Sequence, residues 1–490
     1  MTNSVTRLSL AALALVATAL TAGSRASAGD VKTQLTVKDV PLSPLDPLID
    51  PKSLKFTRDA KHVAYVAKHG SAQVAVVDGK TEREYEVVAL PIVFSRDGAR
   101  HAYKATRSDG WTYVVDGKEQ AWHPGAMETE CAFSADGKHF SYLARKTEGE
   151  RLEGGMSPAV LVTDGADGEP YFSIDAESLE YGPADSVPTF VASRGNPPKE
   201  KPFAVVSGQA GHPYDEVGPV VFSANGKAWG HLATDADSAV VVVNGVPGRR
   251  YAGVASPAFS EDGKRWAHRA QKKDKWLVVV NGEDGREYDE IPPNTLLVSA
   301  DGAHVAYAAR RGKDWVVAQD GVEGKAYPRL GVTSLRFSAD GKHLAYWAGI
   351  AEKPFYVIDG VEQKPYDQLA NDEVRQVTAF QFSADGKHAA YVAQGGGKWI
   401  VVRDGIEVGA YDDTGRGTLC FSPGAEHLAC SAKSNGSWVL VVDGSENPGE
   451  YGNLVTDAPF GFDGPHALHA VMVRGTTIVR IEVDVHSDPK

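Results

Sequence analysis

The sequence predicts an all-β chain built from about eleven four-stranded propeller blades, and three observations carry that prediction. An aromatic residue recurs at Phe56, Phe94, Phe133, Tyr181, Phe222, Phe259, Phe337, Phe382, Phe421 and Phe462, with Val298 in the same register. A tight-turn residue follows it 22 positions later in nine of the eleven copies, as Asp359 follows Phe337, and later still in the third (Asp164) and fourth (Ser207). A tyrosine follows that turn by seven in most copies, as Tyr366 follows Asp359. Two offsets held over so many copies mark a repeat of about 40 residues, the length of a blade.

Each unit reads as four short strands. In the unit around Phe337, Arg336-Phe337-Ser338 is strand A and Ala339-Asp340-Gly341 a three-residue turn in which glycine supplies the left-handed position. Residues 343–348 are strand B and residues 355–358 strand C. Asp359-Gly360 makes the second hairpin turn, and strand D carries Tyr366. Stretches such as Val63-Ala64-Tyr65-Val66-Ala67 and Leu277-Val278-Val279-Val280 are apolar on both faces. An antiparallel hairpin bears that only when both faces are covered, as they are between two neighbouring blades.

Taken in order, residues 1–28 read as a secretory signal peptide: Arg7, an apolar run over 8–22, and the small-residue site Ala26-Ser27-Ala28, with cleavage expected near Ala28. No cysteine sits beside the site and no twin arginine precedes it, so general export to the periplasm or the medium is expected, without a lipid anchor. Residues 29–52 form a closing strand and linker. Gln34 to Val40 alternates like an edge strand, and Pro41, Pro44, Pro47 and Pro51 make an extended connector. The repeats run over 53–485, and 486–490 is a tail. The eleventh unit stops at Val485 without a strand D, so 34–40 is expected to pair with 478–485 and close the ring. Eleven blades exceed the usual four to eight. The count favours two rings of five and six, divided near the 366–382 connection or at Trp122-His123-Pro124, with a single large ring or an open arc as alternatives.

Phe337-Ser-Ala-Asp-Gly-Lys-His-Leu-Ala-Tyr346, Phe133-Ser-Ala-Asp-Gly-Lys138 and Phe382-Ser-Ala-Asp-Gly-Lys-His-Ala-Ala-Tyr391 resemble the WD40-like propeller repeat of the TolB type. The resemblance covers nearly all of the chain after residue 28 and implies an exported, bacterial binding protein. TolB itself carries an N-terminal α/β domain beside its propeller, and residues 29–52 leave no room for one.

Several motifs have a structural reading. Histidine recurs after the A–B turn at His62, His101, His139, His304, His343, His388 and His427. Equivalent positions in adjacent blades lie about 10 Å apart, whereas one metal needs its nitrogens within about 2.1 Å, so a metal ring is not expected and solvated turn residues are. Asp97, Asp136, Asp262, Asp301, Asp340 and Asp385 each precede a turn glycine, one oxygen-bearing residue per loop, which suits a turn rather than calcium. Trp276, Trp315, Trp399 and Trp438 open strand C, with Trp111 close to the same place, and their repetition suits packing between blades. Cys131, Cys420 and Cys430 are too few for a disulfide framework. If Ser422 pairs with Glu426, Cys420 lies opposite Leu428, one pair off Cys430, and buried thiols are expected. No Gly-x-Ser-x-Gly elbow, His-Glu-x-x-His or phosphate-binding Gly-x-x-x-x-Gly-Lys-Ser/Thr loop is present, so no cofactor and no catalytic set is assigned.

Charge gives the candidate binding residues. Arg145, Lys146 and Arg151, Lys199 and Lys201, Lys272 and Lys273, and Arg310 and Arg311 crowd the B–C connections, where they would form a basic rim able to meet an anionic partner. Strand D carries acids, among them Glu82, Glu84, Glu86, Glu287, Asp289, Glu290, Asp412 and Asp413, which discourage edge pairing. A formal net charge of −13 argues against nucleic acid, and no apolar run after residue 28 is long enough to span a membrane. The sequence therefore points to an exported, non-catalytic propeller that binds a protein or polymer. The rival readings are a lyase or lactonase with an axial pocket for a carbohydrate-like substrate, and a purely structural envelope protein.

Overall fold

A computed structural model describes residues 34–124, 130–146, 157–184, 186–195, 200–372, 377–378, 380–415, 417–447, 455 and 458–486. The signal peptide expected over 1–28 lies outside these residues. Eleven antiparallel four-stranded blades stand in a ring, and among the described residues the one helical element is a 3-10 turn at Pro51–Ser53.

The eighth blade shows how the repeat folds. Strand B (Leu344–Ile350) and strand C (Lys353–Ile358) form its centre, with Ala345 opposite Ile358 and Ile350 opposite Lys353. Strand A is longer than the sequence suggests, because it comes in two halves. Arg329–Leu330 pairs with the far end of strand B, and Arg336–Phe337, the part legible as a repeat, pairs with its near end. Between the halves the backbone bulges, and Ser334 fills the gap: its hydroxyl accepts from the Trp347 N–H at 3.0 Å and donates to the Gly331 carbonyl. Ser53, Ser178 and Thr418 do the same for Val66, Val191 and Ser431, each 13 residues on. A bulge leaves a ladder donor unpaired, and these hydroxyls satisfy it.

The ring is single. Apolar clusters bridge blades one and two, two and three, three and four, and four and five. Further clusters bridge six and seven, seven and eight, eight and nine, nine and ten, ten and eleven, and finally eleven and one. Blades five and six meet through the edge-on pair Tyr251–His268, centroids 6.0 Å apart. The two-ring division favoured by the blade count is therefore corrected. It would need the fifth or sixth blade to turn back onto the first, and each instead packs on its sequence neighbours. Both faces of every blade are consequently covered, which is why strands B and C are apolar on both sides.

The termini complete the last blade. Gln34–Pro44 pairs antiparallel with Thr477–His486, from Gln34 opposite His486 to Pro44 opposite Thr477, and supplies its outermost strand. Leu35 and Val37 pack towards the tenth blade, Leu42 and Leu45 towards the first. The strand A pieces of neighbouring blades approach one another, and strand A thus faces the axis. Cys131, Cys420 and Cys430 are free thiols. Cys420 stands opposite Ala429 rather than Leu428, and burial pushes the Cys420 and Cys430 thiols up to about 12.

The third position of strand B is a buried tyrosine in six blades, including Tyr142, Tyr346 and Tyr391, and a buried histidine in two, His231 and His268. Burial holds His268 down from 6.5 to about 4. The unfolded chain takes up that proton first, so stability falls as pH drops from about 6.5 to 4. Burial raises Tyr142, Tyr346 and Tyr391 from 10.0 to about 12, so their contribution is full below pH 10 and is lost between 10 and 12. The expected Tm profile is a plateau with a shoulder on each side. His268→Tyr, the residue six other blades carry there, should flatten the acid shoulder, which thermal scans between pH 4 and 7 would register.

Candidate functional site

Strand direction alternates along a blade, so B–C and D–A connections share one face of the ring and A–B and C–D turns share the other. On the A–B side the repeated polar residues are structural. In the eighth blade Ser338 donates to Asp340, Asp340 accepts from the Lys342 N–H, and Ser338 accepts from the His343 N–H. His343 Nδ1 then meets Asp359 Oδ2 at 2.6 Å, and Asp359 Oδ1 accepts from the Leu344 N–H. The same histidine–aspartate link joins His62 to Asp78, His139 to Asp164, His304 to Asp320, His388 to Asp404 and His427 to Asp443. These histidines are not merely solvated turn residues: each ties the A–B turn to the C–D turn of its own blade. In the second blade Arg100 takes the aspartate, Asp116, and His101 turns to Glu82. The turn aspartates accept hydrogen bonds within their own loops, as Asp97, Asp136, Asp262, Asp301 and Asp385 do from the serine two residues before.

Two further links cross between blades at the outer rim. Tyr85, Tyr327 and Tyr366 donate their hydroxyls to Glu119, Glu362 and Glu407 of the following blade at 2.9–3.0 Å, and Tyr251 does so to Asp284. A cation two residues before the tyrosine, Arg83, Lys325, Lys364 or Arg249, reaches the same carboxylate. On the B–C side, Lys201, Lys275, Lys353 and Lys398 pair with Asp215, Asp289, Asp367 and Asp412, each 14 residues on, at 2.5–3.0 Å. The second oxygen of each aspartate accepts from an N–H in the next blade's B–C turn, at Ala236, Gly312, Gly396 and Gly436. Sequence reasoning missed these latches. The constant 14-residue spacing was the one signal that could have revealed them.

That chemistry decides where the predicted basic residues stand. Lys201 reaches Asp215 and Asp235, Lys272 lies 3.6 Å from Glu287, Arg310 pairs with Glu290, and Arg311 pairs with Glu323. Arg145 donates to the Ser157 carbonyl at 2.7 Å. Among the described residues no carboxylate pairs with Arg145, Lys146 or Lys273, the last of which occupies a left-handed turn position with φ +58. Arg151 and Lys199 lie outside the described residues. The seven described ones do not converge on one patch: they follow the rim from the third blade to the seventh.

The B–C connections differ in length. Two residues suffice in nine blades, such as Gly312-Lys313 between Val305–Arg311 and Asp314–Gln319. Residues 146–158 and 194–202 make the connection in the third and fourth. The third is zipped at its base, where Arg145 faces Ala159 and the Lys146 N–H donates to the Pro158 carbonyl. The strand C tryptophans serve the core, with Trp276, Trp315, Trp399 and Trp438 packed against the clusters between blades. Arg269 also lies 4.3 Å over the Trp276 ring.

On the axial side, a cavity of about 560 Å³ opens along the strand A pieces of the fifth to eighth blades. Phe259, Leu297, Leu335 and Phe337 make its apolar wall, with Glu261 and Arg336 the charged groups. One carboxylate beside one guanidinium is not the pair of converging carboxylates that acid–base cleavage of a sugar chain uses. A cavity of about 480 Å³ on the C–D side, between the sixth and seventh blades, is lined by Arg265, Glu283, Asp284 and Asp320. Two of its acids are engaged, Asp284 with Tyr251 and Arg249 and Asp320 with His304 and Arg265.

No family model and no curated protein matches the sequence. Among solved structures, the chain is similar to the Dos1 propeller (9% identity, TM-score 0.30, 65% of this chain and 94% of that one). It is similar to the Cps50 (Swd1) β-propeller domain of Myceliophteria thermophila (14%, TM-score 0.24, 56% and 97%). It is also similar to TolB from Acinetobacter baumannii (13%, TM-score 0.24, 51% and 61%). Likenesses this distant do not bear on function, and the propeller is read from the chain's own sheet order. No helix among the described residues is long and apolar enough to cross a membrane.

Proposed function

We propose that this chain is an exported, non-catalytic propeller that binds a protein or polymer partner carrying negative charge, and that it meets this partner on its B–C face at the third and fourth blades. The observation that carries the reading is the placement of the two long B–C connections. They stand in neighbouring blades, on one face, where every other blade uses two residues. Loops lengthened beyond a repeat cost little closure entropy and collect where a repeat protein makes contacts. Arg145 and Lys146 sit at the base of the first with no described carboxylate beside them, whereas most other rim cations are answered by the chain's own acids. In a chain of net charge −13, such a site is a local positive spot in a negative field.

The test is a triple variant, Arg145, Lys146 and Arg151 to Ala, with a partner captured from envelope extract. Binding should weaken, by about tenfold or more if two of the three cations meet the partner. Raising the salt should narrow the difference, and the melting curve should not move. Equal affinity of parent and variant at low salt would remove these residues from the site. Substituting Lys201 and Arg311 instead should leave affinity nearly unchanged, since their charge is already balanced within the rim.

A further inference from the structure

The histidines of the A–B turns are kept apart by the repeat, except at one boundary. In the tenth blade His427 follows Phe421 by six residues, in register with its counterparts. In the eleventh the turn reads Asp463-Gly464-Pro465-His466, which places His466 only four residues after Phe462. That shift breaks the symmetry separating equivalent positions. His466 Nδ1 comes to 3.1 Å from His427 Nε2, across the boundary between the two blades. Glu426 adds a carboxylate, with Oε2 3.6 Å from His466 Nε2. At the same register six other blades carry lysine: Lys61, Lys138, Lys227, Lys264, Lys342 and Lys387. Two departures from the repeat, an acid in place of a cation and a displaced histidine, thus converge on one point. Glu426, His427 and His466 are the one group of three such side chains among the described residues whose ligand atoms all lie within 4.8 Å of one another.

We propose that Glu426, His427 and His466 form a binding site for a borderline divalent cation, zinc above all, at the seam between the tenth and eleventh blades. His427 is prepared for this role. Its Nδ1 donates to Asp443 at 2.6 Å, which leaves Nε2 as the free lone pair directed across the seam. A carboxylate behind a histidine ligand fixes its tautomer and orientation in this way. His427 is buried, so its ring is held in place, whereas His466 and Glu426 are exposed and can adjust. Two nitrogens bound at 2.0–2.1 Å to one tetrahedral ion lie about 3.3 Å apart, close to the spacing found here. A cation here replaces the hydrogen bond between the two rings, and each neutral ring keeps its one proton on the nitrogen that does not bind, so protons compete with the cation for the imidazole lone pairs and binding weakens as pH falls. Two imidazoles and one carboxylate suit zinc better than magnesium or calcium, which prefer oxygen ligands throughout. Three protein ligands leave a tetrahedral position for water, so the ion joins the last two blades and still faces solvent.

The experiment uses the tag-free protein, stripped with a chelator and titrated with zinc chloride, magnesium chloride or calcium chloride. One zinc per chain should bind and raise the Tm, magnesium and calcium should not, and cobalt should give the visible absorption of a tetrahedral site. His466→Ala and Glu426→Lys, which restores the lysine of the other blades, should each weaken zinc binding at least 100-fold while leaving the circular dichroism spectrum unchanged. His388→Ala removes an equivalent histidine–aspartate link in the ninth blade and should leave zinc affinity as it was. No saturable zinc binding by the parent chain, or the same affinity in both seam variants, would overturn the site. Magnesium or calcium bound as tightly as zinc would overturn its ligand assignment.

Discussion

Removing the N-terminal strand is expected to open the ring. Deleting residues 29–41 takes away most of the strand that pairs with Thr477–His486, and leaves the backbone of Thr477-Ile-Val-Arg-Ile-Glu-Val-Asp-Val-His486 as a free edge. The present outer strand is protected as an edge: it carries Lys38, Asp39, Pro41 and Pro44, and Asp39 is tied to Arg474. The strand beneath it is β-branched and nearly buried, the kind of edge that recruits another chain. The deletion also cuts a covalent link, because this segment runs from the eleventh blade directly into the first. Leu35 and Val37 leave the cluster with the tenth blade. Partly buried side chains of this kind contribute about 1 kcal/mol each. With the lost ladder the total is roughly 3–5 kcal/mol, or about 3–5 °C in Tm for a chain of this length. The truncated chain should aggregate on mild heating and elute as mixed oligomers. A monomer with an unchanged melting curve would show that the seam holds without its strand. It would then do so through Val471 and Ile478, which share an apolar cluster with Val63 and Tyr65 of the first blade, and through Arg480, which is buried between Asp463, Glu482 and the Asp59 carbonyl.

The closing strand could be read from the sequence because two local facts coincide, an alternating stretch before the first repeat and a missing strand D in the last. The Asp-Gly turns and the blade count were legible for the same reason: each is a property of a few adjacent residues repeated many times. The inter-blade latches were not. Glu119, Glu362 and Glu407 each look like surface acids on an outer strand, and only the stacking of blades places them against Tyr85, Tyr327 and Tyr366. The number of rings was hidden because every blade offers its neighbour the same kind of face. Nothing within Phe337 to Tyr366 states whether the next-but-four blade is the first again. The split of strand A was hidden because its outer half, such as Arg329–Leu330, is two residues long and has no fixed residue type. The basic rim was legible as composition but misleading as charge, since Lys201, Lys272, Arg310 and Arg311 meet carboxylates that lie on other strands or blades. The seam histidines escaped for a related reason: a search in register finds symmetry-related groups, and His466 is out of register.

Two glycines of the eighth blade, alike in sequence, should respond very differently to substitution. Gly341 and Gly360 both follow an aspartate in a hairpin turn, and both hold left-handed backbone, φ +76 and +78. A β-branched residue is strained at either place, at a cost of about 1–3 kcal/mol. Their surroundings separate them. A Cβ at Gly360 would meet nothing within 4 Å, whereas one at Gly341 would lie 2.5 Å from Asp301 Oδ1 of the seventh blade. Asp301 cannot withdraw freely, because it accepts from Ser299 and from the Ala303 N–H within its own turn. The A–B turns stack in this way around the ring, with Gly386 against Asp340 and Gly137 against Asp97. Gly341→Val therefore adds a steric cost between blades, about 1–3 kcal/mol on the scale of an overpacked interior, to the local strain. The expected order of Tm is parent and Lys342→Ala together, Gly360→Val below them, and Gly341→Val lowest by several degrees. The double variant Gly341→Val with Asp301→Ala should recover part of the difference by emptying the contested space, although it gives up the turn bonds of Asp301. Equal melting points for Gly341→Val and Gly360→Val would mean that the turns are independent, and that the ring is held by its apolar faces and outer latches alone.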